Sequence, residues 1–286
     1  MRATPEPEGS SRYYASLYAP PAQRALLHSL FALEAEIAGA ARAGLDHSVA
    51  HVRLEWWREE CGRAVAGVAV HPLARAVYVQ LRASGALDID LSGLVEVTRW
   101  DLAVAPFATR TQLAAYCAHW AAAITEPVAR CALPSRGEMQ LASSFGQRLG
   151  AALRELELLT DLAAEARNGR LRVPLAELSA AGIEPEAVRQ LPWPPGLIDL
   201  LAARHSRLRA ELAACFALLS PAHQPALRGL LVWAVLAQRQ SLRTSHALPA
   251  TAPTTGASRL ADTWQGWRAA RRAEVGRLAL HSESSR

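Results

Sequence analysis

The sequence predicts an all-α protein, a single helical bundle built around a central cavity. Leu and Ala dominate the 286 residues, and hydrophobic residues make up 51%, enough for a sizeable core. Runs of β-branched residues are scarce and aromatics are only 6%, which disfavours sheets. Apolar residues recur at helical spacing in one segment after another, with no sustained alternation of period two. No internal repeat of about 20–50 residues suggests a solenoid.

The elements follow in order. Residues 1–11 are rich in Pro, Glu, Gly and Ser and read as a disordered N-terminus. Pro20-Pro21 opens a helix with Leu26, Leu27, Leu30, Phe31, Leu33 and Ile37 on a broad buried face. A break at Gly44 and Asp46 leads to a second helix over 47–66, and His71-Pro72 starts a third. A short helix over 94–102 ends near Pro106. Thr111 is expected to cap the next, running through Tyr116 and Trp120 and interrupted near Pro127.

Residues 138–168 form the longest periodic segment, stopped by Asn168-Gly169. Two further helices are expected over 197–219 and 225–242, a Pro/Thr/Ala linker over 247–258, and an amphipathic C-terminal helix over 259–286. The globular domain is therefore expected over 12–246.

The net charge is +5 and the pI near 9.4, with all 31 basic residues Arg. With no Lys, neither a Schiff base nor a P-loop lysine is available. Cys61, Cys117, Cys131 and Cys215 form no CxxC pair and read as buried thiols. The N-terminus lacks the apolar segment of a secretory signal, and no apolar run reaches the roughly 18 residues of a membrane span. The expected location is cytoplasmic, with membrane association as an alternative.

The stretch Leu156–Leu178, LELLTDLAAEARNGRLRVPLAEL, carries the sharpest chemical signal. Asp161 and Glu165 lie one turn apart on one helix face, where two carboxylates can hold Mg²⁺. Arg167 and Arg170 follow, suited to phosphate oxygens. The plainer reading is a solvated helix face with its arginines near the C-terminus.

This segment resembles the second Asp-rich motif of squalene and phytoene synthases, a DxxxD helix followed by RxGRxYLPxxEL. Asp161 and Glu165 take the acidic sites, Arg167, Gly169 and Arg170 keep the spacing, and Pro174, Glu177 and Leu178 close it. Tyr13-Tyr14 through Arg24 resembles the family's opening, and Leu30-Phe31-Ala32-Leu33 its YAF helix. Arg53–Arg58 with His71-Pro72 resembles its tryptophan-containing second helix. Asp101-Leu102, Phe107-Ala-Thr and Leu113-x-x-Tyr116-Cys117 resemble a further block.

The resemblance implies an isoprenoid-synthase fold and head-to-head joining of two prenyl diphosphates, with Mg²⁺ held between two acidic helices. It implies metal contacts at Asp161 and Glu165, and substrate contacts at Tyr14, Arg24, Arg167 and Arg170.

The sequence also departs from the pattern. No aspartate stands where the first Asp-rich motif should begin, near Ala38; the text is Glu34-Ala-Glu36-Ile-Ala38-Gly-Ala-Ala-Arg42. Glu34, one turn before Ala38, is the better substitute, and with Asp161 and Glu165 it completes the catalytic candidates. Glu157 replaces the expected Asn and Pro106 the expected Arg. The leading expectation is a divergent member without normal synthase turnover, binding an isoprenoid or serving as an assembly or scaffold partner, and needing no cofactor. The alternative is an active Mg²⁺-dependent prenyltransferase.

His47, His51 and Glu55 share a helix face, but a solvated helix start explains them more simply than zinc. Trp56, Trp57, Trp100 and Trp120 read as core aromatics, with cavity lining as the sharper alternative. No GxSxG or GxGxxG is present. In the C-terminal helix, Trp264 and Trp267 precede Arg268, Arg271, Arg272 and Arg277. The favoured arrangement packs the tryptophans on the bundle with the arginines in water; the alternative lays the helix on an anionic membrane. Nucleic-acid binding is not expected, and a protein partner cannot be named from the sequence.

Overall fold

The computed structural model describes residues 6–41, 46–86, 88–160, 162–248 and 256–280. Among the described residues there are twelve α-helices and no strand. They are α1 (Ser11–Tyr18), α2 (Pro21–Gly39), α3 (His47–Val65), α4 (Pro72–Ala83), α5 (Gly93–Ala103) and α6 (Arg110–Ala132). After them come α7 (Met139–Thr160), α8 (Leu162–Arg167), α9 (Leu175–Ala180), α10 (Pro195–Ala217), α11 (Gln224–Ala247) and α12 (Gly256–Glu274). The all-α bundle expected from composition and periodicity is the fold observed. No described helix is long and apolar enough to cross a membrane.

Local chemistry sets the helix starts. Ser10 accepts from the Tyr13 amide, Asp46 from Ser48 and Val49, and His71 from Leu73. Pro stands in the first turn of α2, α4 and α10, where its missing N–H costs nothing. The cap of α6 is Thr109 rather than Thr111. Nor does Pro127 interrupt α6, which runs on to Ala132. Ile124, Val128 and Ala129 are fully buried around Pro127, and tertiary packing holds the helix through it.

Just before α1, Glu6 lies 3.9 Å from Arg12, and Ser10 caps the helix. The segment predicted over 138–168 becomes α7 and α8, with Asp161 outside the described residues. Gly169, at φ +84°, ends α8 in a Schellman motif: Arg170 N donates to Glu165 O and Gly169 N to Ala166 O.

The centre is the antiparallel pair of α6 and α7. Opposite Gly146 lie Thr125 and Glu126; opposite Gly150 lie Ala121 and Thr125. A Cβ on Gly150 would fall 1.8 Å from Thr125 Oγ1, and one on Gly146 2.6 Å from Glu126 Cα. Only glycine permits that approach. Thr125 fastens it by donating to Gly146 O at 2.7 Å. Phe145, Leu149, Leu153, Leu156 and Leu159 of the predicted stripe are all buried, each contributing about 1.5–3 kcal/mol.

The last helix corrects one expectation. α12 buries its small residues, Gly266, Ala269, Ala270 and Ala273, against the bundle. Trp264 and Trp267 face outward and stack on each other.

Replacing Gly150 by Ala is expected to lower stability by about 1–3 kcal/mol through overpacking. An unchanged denaturation midpoint would refute the close contact. A second expectation concerns His205 on α10, which is buried with Nδ1 2.9 Å from Ser241 Oγ. Burial, helped by Arg209 and Arg204, pulls its pKa down to about 4. The unfolded value is about 6.5, so unfolding takes up a proton between the two. This stability is fully present above about pH 6.5 and lost as pH falls towards 4, on the order of 2–3 kcal/mol. Urea titrations across that window should show the slope, and His205→Gln should flatten it.

Candidate functional site

The residues that face the bundle centre are carried there by seven helices and the segment after α8. α1 is anchored at its C-terminal end by two arginines. Arg24 donates to the carbonyls of Ser16 (3.1 Å), Leu17 (2.8 Å) and Ala19 (3.3 Å), and Arg228 Nε donates to Tyr18 O at 2.7 Å. These are carbonyls that a helix end leaves without partners. Gly229 lets α1 lie flush on α11; a Cβ there would stand 2.7 Å from Ala15 O. So fixed, α1 projects Arg12 into the centre.

Arg12 Nη1 donates to Glu34 Oε2 at 2.6 Å, while Nε and Nη2 donate to Glu157 at 2.9 and 2.7 Å. Its guanidinium lies over the rings of Phe31, Trp120 and Trp233, 5.1–5.6 Å from their centroids. Trp120 Nε1 donates to Glu34 Oε1 at 2.7 Å.

From there the charges run on without a gap. Arg154, on α7, reaches Glu157 at 3.2 Å and the Tyr116 hydroxyl at 2.9 Å. Tyr116 donates to Asp101 Oδ2 at 3.1 Å. Asp101 accepts from Arg172 Nη1 at 2.7 Å, and Arg172 Nη2 donates to Glu165 at 3.0 Å. Glu165 lies 3.7 Å from Arg170 Nη1. Helices α1, α2, α5, α6, α7 and α8 and the segment after α8 are thereby tied together.

Burial opposes the charge on Arg12, Arg154, Arg172 and Glu157, and their partners outweigh it. Burial opposes the charge on Arg12, yet Glu157 and Glu34 raise its pKa well above the ordinary arginine value. Burial pushes the Glu157 carboxyl up, and Arg12 and then Arg154 hold it below the usual carboxylate range. Arg154 and Arg172 are likewise raised against burial, Arg154 by Tyr116, Glu157 and Glu34, and Arg172 chiefly by Asp101. Burial lifts the Tyr116 hydroxyl to about 12.

The residues singled out in the sequence are distributed unevenly about this cleft. Glu34 and Glu165 belong to it, and Arg170 lies at its margin. Arg167 is exposed to solvent. Arg24 is spent on the end of α1. Tyr14 turns away towards α12, its hydroxyl 2.5 Å from Thr263 Oγ1. Asp161 lies outside the described residues.

Of the tryptophans, Trp120 lines the cleft, Trp57 is buried against His71, Trp100 stacks on Phe107, and Trp56 is partly exposed. Arg12, Arg154, Arg172 and Trp233 carry the cleft without having been singled out. The available signal was Arg154 and Glu157 interleaved with Leu153 and Leu156, charges at the edge of an apolar stripe.

Mg²⁺ asks for several free oxygen ligands. Glu34, Glu157, Asp101 and Glu165 are each engaged by arginine, and among the described residues no group of three or more His, Cys, Asp or Glu is arranged to hold a metal. Among the described residues, every carboxylate of the cleft is thus taken up by an arginine. His47 and His51 are exposed neighbours, and Glu55 is taken by Arg58 and Arg99. The cavity left between α7, α10 and α11, bordered by Leu153, Leu156, Glu157 and Trp233, measures about 50 Å³.

Comparison with known proteins places this fold. The squalene synthase HpnC from Alicyclobacillus acidocaldarius aligns with a TM-score of 0.62 at 21% identity, covering 89% of this chain and 88% of that one. A dehydrosqualene synthase in complex with ligand aligns with a TM-score of 0.66 at 16% identity, covering 90% of each chain. At such identities the likeness is one of fold. A search of curated proteins finds no match. The family model described as squalene/phytoene synthase matches residues 6–268, from before α1 into α12. With that match spanning nearly the whole bundle, the chain belongs to the squalene/phytoene synthase family.

Proposed function

We propose that this family member does not carry out synthase turnover and acts by binding, as an assembly or scaffold partner whose cleft is closed by its own arginines. The observation that carries the reading is the chain of Arg12, Arg154 and Arg172 among Glu34, Glu157, Asp101 and Glu165. Release of diphosphate needs its charge neutralised as it develops, which metal clusters accomplish. Here internal guanidinium groups engage the carboxylates that would carry the metals, and under this reading no Mg²⁺ is used. The cavity of about 50 Å³ is also far below the ~300 Å³ of a small-molecule site. An isoprenoid would enter only if the arginine chain opened, which favours the scaffold role over the lipid-binding one.

The other reading is an active Mg²⁺-dependent prenyltransferase joining two prenyl diphosphates through Asp161, Glu165 and Glu34. It is favoured by the position of Glu34 and Glu165 in one connected cleft. Incubation of the purified chain with farnesyl or geranylgeranyl diphosphate and Mg²⁺ separates the two. The expected outcome is no head-to-head hydrocarbon above the protein-free control. Robust product, abolished by Asp161→Ala, would establish the second reading instead.

The closed cleft also has a stability signature. Arg12→Ala strands two carboxylates and is expected to cost about 3–5 kcal/mol. Adding Glu34→Gln and Glu157→Gln should recover most of that loss, because the repulsion left behind is removed. A loss under about 1 kcal/mol would mark the pair as an ordinary surface one.

A further inference from the structure

The outer face of α12 is built the wrong way round for a helix that packs on a soluble bundle. Leu260, Trp264 and Trp267 lie along one ridge with 74, 56 and 45% of their surfaces exposed. The two indoles stack on each other at 4.9 Å. The buried face consists of glycine and alanine, so the largest apolar groups of the helix were not needed to dock it.

Beside the ridge runs a groove between α11 and α12 of about 280 Å³. Arg239, Arg268 and Arg272 line it above Val235, Leu242 and Ala269. Arg239 is paired with Asp262, but Arg268 and Arg272 have no carboxylate partner among the described residues. Residues 256–280 hold five arginines against Asp262 and Glu274, and both acids are already engaged by arginines.

We propose that this face docks on an anionic phospholipid surface. Trp264 and Trp267 enter the boundary between headgroups and acyl chains, and Arg268 and Arg272 meet headgroup phosphates at the groove. Amphipathic indoles suit that boundary, and unpaired guanidinium groups suit phosphate. The charge selects lipid over a second copy of the chain. A ridge of three apolar side chains is small beside a stable dimer interface, and twofold contact would bring the unpaired arginines of both copies together. The inference rests on this surface alone and is independent of whether the cleft turns over.

The test is co-sedimentation of the full chain with vesicles of phosphatidylcholine alone and of phosphatidylcholine mixed with phosphatidylglycerol. Binding is expected only to the mixed vesicles and should weaken with salt. Trp264→Ala with Trp267→Ala, and separately Arg268→Gln with Arg272→Gln, should each lower partitioning by at least about fivefold. Melting temperatures should be unchanged, since these side chains are exposed. Brominated lipid should quench tryptophan emission in the parent and not in the tryptophan variant. Absence of binding to mixed vesicles would overturn the proposal, as would wild-type binding by both variants. A dimer that the tryptophan variant dissociates, without vesicle binding, would overturn it too and give the face to a second copy.

Discussion

Arg12 is the residue on which the rest of the centre depends. A guanidinium without partners in a bundle interior would be prohibitively unfavourable. It is tolerable here because two carboxylates take its N–H groups and three aromatic rings take its faces. The partners come from four other helices, Phe31 and Glu34 sharing α2, so the arrangement fixes α1, α2, α6, α7 and α11 relative to one another. The devices that seem peripheral serve it. Arg24 and Arg228 hold the end of α1, Gly229 lets it sit low on α11, and Gly146 and Gly150 bring the Arg154 and Glu157 helix against Trp120.

The same arrangement lets this family fold close its cleft with charges of its own. A cleft lined by acids alone would repel itself when empty and would need cations to close. Interleaved arginines supply the counter-charge from within the chain, in a bidentate geometry that lysine could not match. Tyr116 links the two halves of the charge chain.

Much of the fold was legible because helix periodicity is a local property. The stripe from Phe145 to Leu159, the helix starts after Asp46 and at His71-Pro72, and the stop at Gly169 all depend on neighbours a few residues away. Where long-range packing intervened, the local signal misled. Pro127 is carried through by the buried surface around it, and the tryptophans of α12 face outward because alanines were sufficient to pack it. At the site, Glu34 and Glu165 were legible as acids at suggestive spacing. Arg12 was not, because its meaning lies in partners 22 and 145 residues away. No spacing rule reaches that far. With every basic residue an Arg, composition gave no hint of which ones were internal.

An arginine-only interior has one more consequence. A guanidinium has no neutral form within the range in which a cell lives, so raising the pH leaves the charge chain intact. Only its carboxylates can be discharged, and the arginines hold Glu157 against that. The centre is therefore deaf to alkali, and at Glu157 slow to answer acid. What can unlock it is competition, by an anion able to offer the guanidinium groups better company than the four carboxylates already there.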